Sequence, residues 1–353
     1  MLRLLAGAAV VVCVFAACAA ARSPKSSPPP EAPPPALLLA GGRKLTFERM
    51  FSSEREVRLK RGFWTRVFDI VAGAPDFRYL VRPYGIVEDS RGRIIVTDPG
   101  IPAIHIFDFE RQKYSILTHA GKEPFHAPQC VTVDAQDNIY ATDSESGKVY
   151  VFDANGKFRR LVGSLKGGEG LFKHAAGIAV DSAANHIFVT DTYRHKIFVL
   201  DLQGNMLRTI GQRGTQPGEF NFPTELLLHG NELLVVDAMN FRVQVFDLSG
   251  TFLYMVGKFG ARSGSLFRPK GVAMDSENNL YIVDNLFETV QVFDHEARLL
   301  YYFGQTGTGP EEFQLPTGLF VDRQDRIFVV DSYNRRVQVF RYWGAKSTPT
   351  GSR

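Results

Sequence analysis

The sequence predicts an all-β chain folded as a six-bladed β-propeller, a ring of six four-stranded antiparallel blades. The first observation behind this is an apolar run ending in aspartate that recurs six times. It reads Ile94-Ile-Val-Thr-Asp98, Ile139-Tyr-Ala-Thr-Asp143, Ile187-Phe-Val-Thr-Asp191, Leu233-Leu-Val-Val-Asp237, Leu280-Tyr-Ile-Val-Asp284 and Ile327-Phe-Val-Val-Asp331. The second is the spacing of those aspartates, 45, 48, 46, 47 and 47 residues, which marks a repeat architecture. The third is the content of each repeat: short segments rich in Val, Ile and Phe, separated by turn residues, enough for one four-stranded sheet. Such a sheet cannot cover both of its own faces. Radial packing around an axis covers them and leaves few open edges; a right-handed solenoid is the rival, and four strands per repeat argue against it.

The innermost strand of each blade follows a Pro/Gly lead, seen in Pro83-Tyr-Gly85, Ala176-Gly177, Pro269-Lys-Gly271 and Pro316-Thr-Gly318. The aspartate run is the second strand. The third follows five or six residues later, as in Val149-Tyr-Val-Phe-Asp153, Val243-Gln-Val-Phe-Asp247 and Val337-Gln-Val-Phe340. After a turn such as Asn155-Gly156, a short outer strand ends in glycine, as in Leu161-Val-Gly163 and Met255-Val-Gly257. These units resemble the NHL repeat family in all six copies, over roughly residues 80–344. The resemblance implies the fold. It implies no single activity, because the family includes scaffolds, ligand binders, RNA binders and enzymes.

The sixth copy runs to Trp343 and is followed by Gly344-Ala-Lys-Ser347, which does not read as a strand. Its outer strand is therefore expected from upstream of the first copy. Residues 45–51 partly alternate and are assigned as that closing strand. Residues 62–72 then read as a helix, with Phe63, Trp64, Val67, Phe68 and Val71 near a 3.6-residue period. The alternative places the outer strand at residues 65–73, which also end in Val-Ala-Gly. The propeller is bounded at residues 43–344, with a flexible tail at 345–353.

The N-terminus reads as export machinery rather than fold. Residues 1–17 carry a short basic start and an apolar stretch too short to span a bilayer, the pattern of a signal peptide. It ends in Phe15-Ala16-Ala17-Cys18, which resembles a bacterial lipobox; Phe15 departs from the usual aliphatic residue. Cys18 is the expected lipidation site. Ala19 and Ala20 follow it without an aspartate, which by resemblance to sorted lipoproteins points to an outer membrane where the host has one. Residues 18–42 form the lipidated cysteine and a linker containing RSPKSSPPPEAPPPA, a semi-rigid spacer. Cys130 then stands alone, so no intrachain disulfide is expected.

A formal net charge of +4 in 353 residues gives no push toward nucleic acid. The expected partners are a protein or other envelope ligand, and the bilayer through the lipid. In propellers the loops leading into the inner strands and those joining second to third strands share one rim. The candidates there are Tyr84, Gln129, Arg194, His195, Glu225, Asn240, Arg242, Lys270, Tyr333 and Arg335. Glu225 and Cys130 stand where Gly85, Gly177, Gly271 and Gly318 stand in the other copies. Glu225 is expected to pair with Lys270 or Arg242, and Cys130 to be a small buried filler. The six aspartates are expected to cap backbone, and to pair with a cation five residues on in Asp143/Lys148, Asp191/Lys196, Asp237/Arg242 and Asp331/Arg336. No catalytic residue or cofactor is assigned: no trio of histidines converges as in the related zinc lyases. The expectation is a binding or scaffold module. The alternative is a metal-dependent hydrolase or lyase in the central channel, with Glu225 the one weak metal candidate.

Overall fold

The computed structural model describes residues 34–57, 78–165, 169–260 and 262–344. Cys18, the signal peptide, the residue 62–72 helix, the alternative strand at 65–73 and the tail lie outside the described residues.

The described chain is a ring of six antiparallel sheets. The inner strands, in chain order, are Ile86–Glu88, Pro128–Val133, Ala175–Asp181, Pro223–His229, Pro269–Met274 and Leu319–Val321. Each is followed by second, third and outer strands, as in the third blade with His186–Asp191, Lys196–Asp201 and Met206–Ile210. The sixth blade takes its outer strand from the N-terminal side. Lys44–Phe51 pairs antiparallel with Arg336–Trp343, from Lys44 opposite Trp343 to Phe51 opposite Val337, with one bulge between Phe47 and Arg49. The expected closing strand is therefore the observed one.

The second strands carry a continuous apolar run ahead of the aspartate, and both of their faces are buried. Ile94 and Val96 pack toward the sixth blade, with Phe328, Val330 and Val337. Ile95 between them packs toward the second, with Val131, Ile139 and Phe152. The same division recurs around the ring, giving six apolar clusters for six blade interfaces.

Near the axis the blades come together backbone to backbone. A Cβ on Gly318 would lie 2.3 Å from the Tyr84 carbonyl oxygen, and one on Gly177 would lie 2.3 Å from that of Thr224. Glycine holds these positions because no side chain fits between the strands. In the first three blades the threonine before the aspartate adds a stitch to the next blade: Thr142 donates to the Ala176 carbonyl at 2.5 Å and Thr190 to that of Thr224 at 2.7 Å.

The repeated aspartates are buried hubs that accept from the backbone leading into the inner strand. Asp98 takes Val81 N–H at 2.6 Å and Arg82 N–H at 2.9 Å; Asp284 takes Phe267 and Arg268 N–H at 2.6 and 3.1 Å. The cation pairing is only half as expected. Arg242 meets Asp237 at 2.9 Å and Arg336 meets Asp331 at 2.7 Å, both out of solvent. Lys148 instead reaches Glu123 at 3.0 Å, and Asp191 is approached by Arg194 at 3.5 Å rather than by Lys196. The planar guanidinium reaches its aspartate while also donating to backbone carbonyls, as Arg242 does to Gln216 and Glu219.

Phe51 joins the seam to the first blade. It is 2% exposed and packs against Phe107 in a tilted pair with ring centroids 5.0 Å apart. Phe51→Ala is expected to cost about 3–5 kcal/mol of unfolding free energy, read from urea denaturation.

Candidate functional site

The upper face of the ring carries the loops that lead into the inner strands and the turns between second and third strands. Around the axis, the residues one position before the inner-strand glycines form a single level: Tyr84, Gln129, Ala176, Thr224, Lys270 and Thr317. The Tyr84 ring reaches from the first blade to the apolar cluster between the second and third. The Lys270 ammonium, from the fifth blade, lies 5.8 Å from the centre of that ring. One step deeper, Cys130 and Glu225 occupy two of the glycine positions and meet across the axis. The Cys130 thiol donates to Glu225 Oε2 at 3.1 Å.

Glu225 therefore does not pair as expected. Lys270 closes no ion pair with it, and Arg242 is spent on Asp237 one strand away. The carboxyl is held by the Cys130 thiol and the Leu226 N–H, with Lys270 acting only through space. Burial nevertheless wins and pushes its pKa up to about 7. Burial, helped by the Arg268 charge, lowers Lys270 to about 8. Burial also raises the Tyr84 hydroxyl and, reinforced by Glu225, the Cys130 thiol. Cys130 is buried as expected, and it also bonds to the irregular carboxyl. Below this layer the channel encloses about 420 Å³, lined by Val131, Ile178, Leu226 and Phe320 and ending near Glu88 and Arg323. At that lower end Arg326 donates to Glu88 at 2.9 Å, and burial raises Glu88 to about 7.

Several rim candidates turn out to hold the rim together. Arg194 donates to the Leu171 carbonyl at 2.6 Å and covers the Phe198 ring. Asn240 bonds Asp237 and the Gly214 carbonyl. His195 Nδ1 accepts from Phe222 N–H at 3.1 Å, and burial lowers its pKa, so the ring stays neutral. Its place in the turn is a backbone matter. The position four residues after the aspartate has a positive φ in five blades, at Gly147, His195, Phe241, Glu288 and Arg335. Histidine is one of the residue types enriched at positive φ. Gln129 is half-buried beside the channel, while Tyr333 is 61% exposed and Arg335 exposed at the rim.

Two features were not anticipated. His105, in the third strand of the first blade, is fully buried, 3.7 Å from Asp98 and 2.8 Å from the Tyr114 hydroxyl. Burial drops its pKa to about 4. It occupies the place that Gln244 and Gln338 hold against Asp237 and Asp331, and is a core residue. The second feature is a row of phenylalanines on the upper face of the fourth and fifth blades. Ring centroids of Phe241 and Phe259 lie 4.7 Å apart, those of Phe259 and Phe267 5.6 Å, and those of Phe267 and Phe287 6.0 Å. The signal was present in residues 258–268, where two phenylalanines sit in a connection rather than a strand.

Among the described residues no three His, Cys, Asp or Glu side chains converge to hold a metal ion, and the one such side chain bonded to Glu225 is Cys130. No described helix is long and apolar enough to cross a membrane.

A family model, DUF5128, described as a 6-bladed beta-propeller, matches residues 177–258 and 266–346, the third to sixth blades. The match spans just under half of the chain. No curated protein matches it. Among solved structures, a protein of unknown function from Bacteroides thetaiotaomicron is 14% identical with a TM-score of 0.60, over 74% of this chain and 70% of that one. An auxiliary nutrient binding protein from the same organism is 12% identical with a TM-score of 0.59, over 75% and 70%. Virginiamycin B lyase from Staphylococcus aureus is 13% identical with a TM-score of 0.56, over 85% and 99%. At these identities the likeness is one of fold.

The shifted groups set a pH dependence. A carboxyl raised from 4.5 to about 7 contributes stability that is complete below 4.5 and lost as pH rises through 7. Lys270, lowered from 10.5 to about 8, contributes stability that is present above 10.5 and lost as pH falls through 8. Glu225→Gln is therefore expected to melt with the wild type at pH 5 and about 2–4 °C above it at pH 8, followed by circular dichroism.

Proposed function

We propose that this protein is an envelope-tethered binding module that holds a protein partner on the upper rim of its fourth and fifth blades. The observation that carries the reading is the phenylalanine row. Phe259 is 62% exposed, Phe267 39% and Phe287 36%, and Met239, Leu286, Arg262 and Arg268 on the same connecting loops and turns are exposed as well. Contiguous exposed apolar surface marks interaction sites on monomeric proteins. Aromatic residues with arginine are what protein interfaces enrich, and they carry most of the binding energy. One structural relative is described as an auxiliary nutrient binding protein, which agrees with a binding role. The repeats are read as NHL type on their motif.

The tether is part of the proposal. A lipid on Cys18, followed by the Pro-rich spacer, would hold the ring away from a bilayer with its rim free. The enzyme alternative would need about three protein ligands around a catalytic metal, and no such group converges among the described residues.

Two experiments test these parts. In a bacterial host, Cys18→Ala is expected to abolish labelling with radioactive palmitate and to move the protein from the membrane to the soluble fraction. Retention of both label and membrane attachment would refute the tether. For the rim, chemical crosslinking in intact cells followed by purification should yield a discrete partner. The Phe259→Ala/Phe267→Ala double variant, folded by circular dichroism, should weaken that complex at least about tenfold. An unchanged complex would remove the rim reading.

A further inference from the structure

We infer that the upper mouth of the channel is a receptor site for a single carboxylate group, held by Lys270 with the hydroxyls of Tyr84 and Thr224. The site is separate from the phenylalanine row and needs no part of the rim reading.

The argument begins with Lys270. Lys270 is half-buried within the ring, and its ammonium lies over the Tyr84 ring, 5.8 Å from the ring centre, with no hydrogen bond or ion pair among the described residues. Enclosed cations are ordinarily paired, because desolvation is costly without an anion. Among the described residues no carboxylate closes that pair, and Glu225 acts on it only through space. Thr224 stands at the same strand position one blade earlier, and its hydroxyl is out of solvent with no hydrogen-bond partner. Tyr84 holds the same level in the first blade. The mouth thus holds one ammonium and two hydroxyls that have no hydrogen-bond partner among the described residues, which matches the acceptor capacity of one carboxylate.

The surrounding charge fixes the sign and size of the ligand. Arg82 and Arg268 hold equivalent positions two residues before Tyr84 and Lys270, and their N–H groups are capped by Asp98 and Asp284. Their side chains are exposed and form no ion pair. They give the approach a positive field that favours anions. Glu225, directly beneath, already has the Cys130 thiol and the Leu226 N–H as partners. Its partial negative charge opposes a dianion, which disfavours phosphate. A ligand cation would meet Lys270 and Arg268 before it reached Glu225.

Binding has a proton signature. The groups facing the site are Arg268 and Lys270 from the fifth blade, Glu225 from the fourth, His174 from the third, Cys130 from the second and Tyr84 from the first. A carboxylate entering this group favours protonated Lys270 and protonated Glu225. These titrate near 8 and 7, so protons are taken up on binding. Affinity is then expected to fall with rising pH, by up to about tenfold per unit above pH 8.

The test is isothermal titration of the full chain with N-acetylglycine, N-acetylglycinamide and inorganic phosphate, in buffers of different ionisation enthalpy. The expected result is saturable binding of N-acetylglycine with a dissociation constant on the order of 1 mM, with proton uptake, and no binding of the amide. Lys270→Met should weaken it at least about tenfold and Thr224→Val a few-fold, while Phe259→Ala/Phe267→Ala leaves it unchanged. Equal binding of acid and amide, tighter binding of phosphate, proton release, or no saturation by about 50 mM would each overturn the inference. The acid–amide comparison uses only the wild-type chain, so it stands even where Lys270→Met fails to fold.

Discussion

The ring depends on one seam. Five blades are each made from one continuous stretch of chain, so their hydrogen bonds form locally. The sixth is made from both ends of the domain, where Lys44–Phe51 pairs with Arg336–Trp343. Without that strand the sixth blade would expose the edge of Arg336–Trp343, and the apolar surface that Phe51 and Leu45 cover would face water. Charge pairs tie the same region. Arg341 bonds Glu48 on the closing strand, and Arg326 bonds Glu88 on the first blade, so the seam is held on both sides of the sixth blade. Paying the loop entropy of a closure spanning nearly the whole domain is what makes a propeller a single cooperative body.

Closure also creates the channel. Each inner strand offers one edge to the axis, and the glycine positions let these edges approach until their carbonyls almost touch the neighbouring Cα. Where the pattern breaks, a side chain must go somewhere other than the interface. Cys130 and Glu225 project across the axis and find each other. Lys270 and Tyr84 lie above them. Burial at the axis then sets the chemistry: it raises the carboxyl and lowers the ammonium toward neutrality, so both titrate near physiological pH. The rim obeys different forces. There the aspartate hubs and the positive-φ turn fix the backbone, and residues such as Arg194, Asn240 and Arg242 are consumed in holding it. Among the side chains left over are exposed apolar ones, above all Phe259 and Phe267.

The blades were legible because each repeats one pattern whose cause is local: a strand buried on both faces reads as a continuous apolar run, and a capping aspartate ends it. The closing strand was legible by subtraction, since five complete blades and one short one leave a vacancy. The aspartates were legible as caps, yet only the fold showed that Arg242 and Arg336 are buried with them while Lys148 and Lys196 look elsewhere. That difference arises from guanidinium geometry and from the carbonyls each loop happens to present.

By itself, then, the sequence determined the number of blades, the strands within them, the way the ring closes and the positions that break its pattern. Period, apolarity and turn chemistry are properties of neighbouring residues and need no folded context. Only the tertiary structure decided which of the irregular residues meet. Cys130 and Glu225 are 95 residues apart and come together because two blades face one axis. Tyr84 and Lys270 meet for the same reason, from the inner positions of the first and fifth blades. Partners of this kind are chosen by where the ring places them and by the loss of water at its centre, and neither is written in the spacing of the chain.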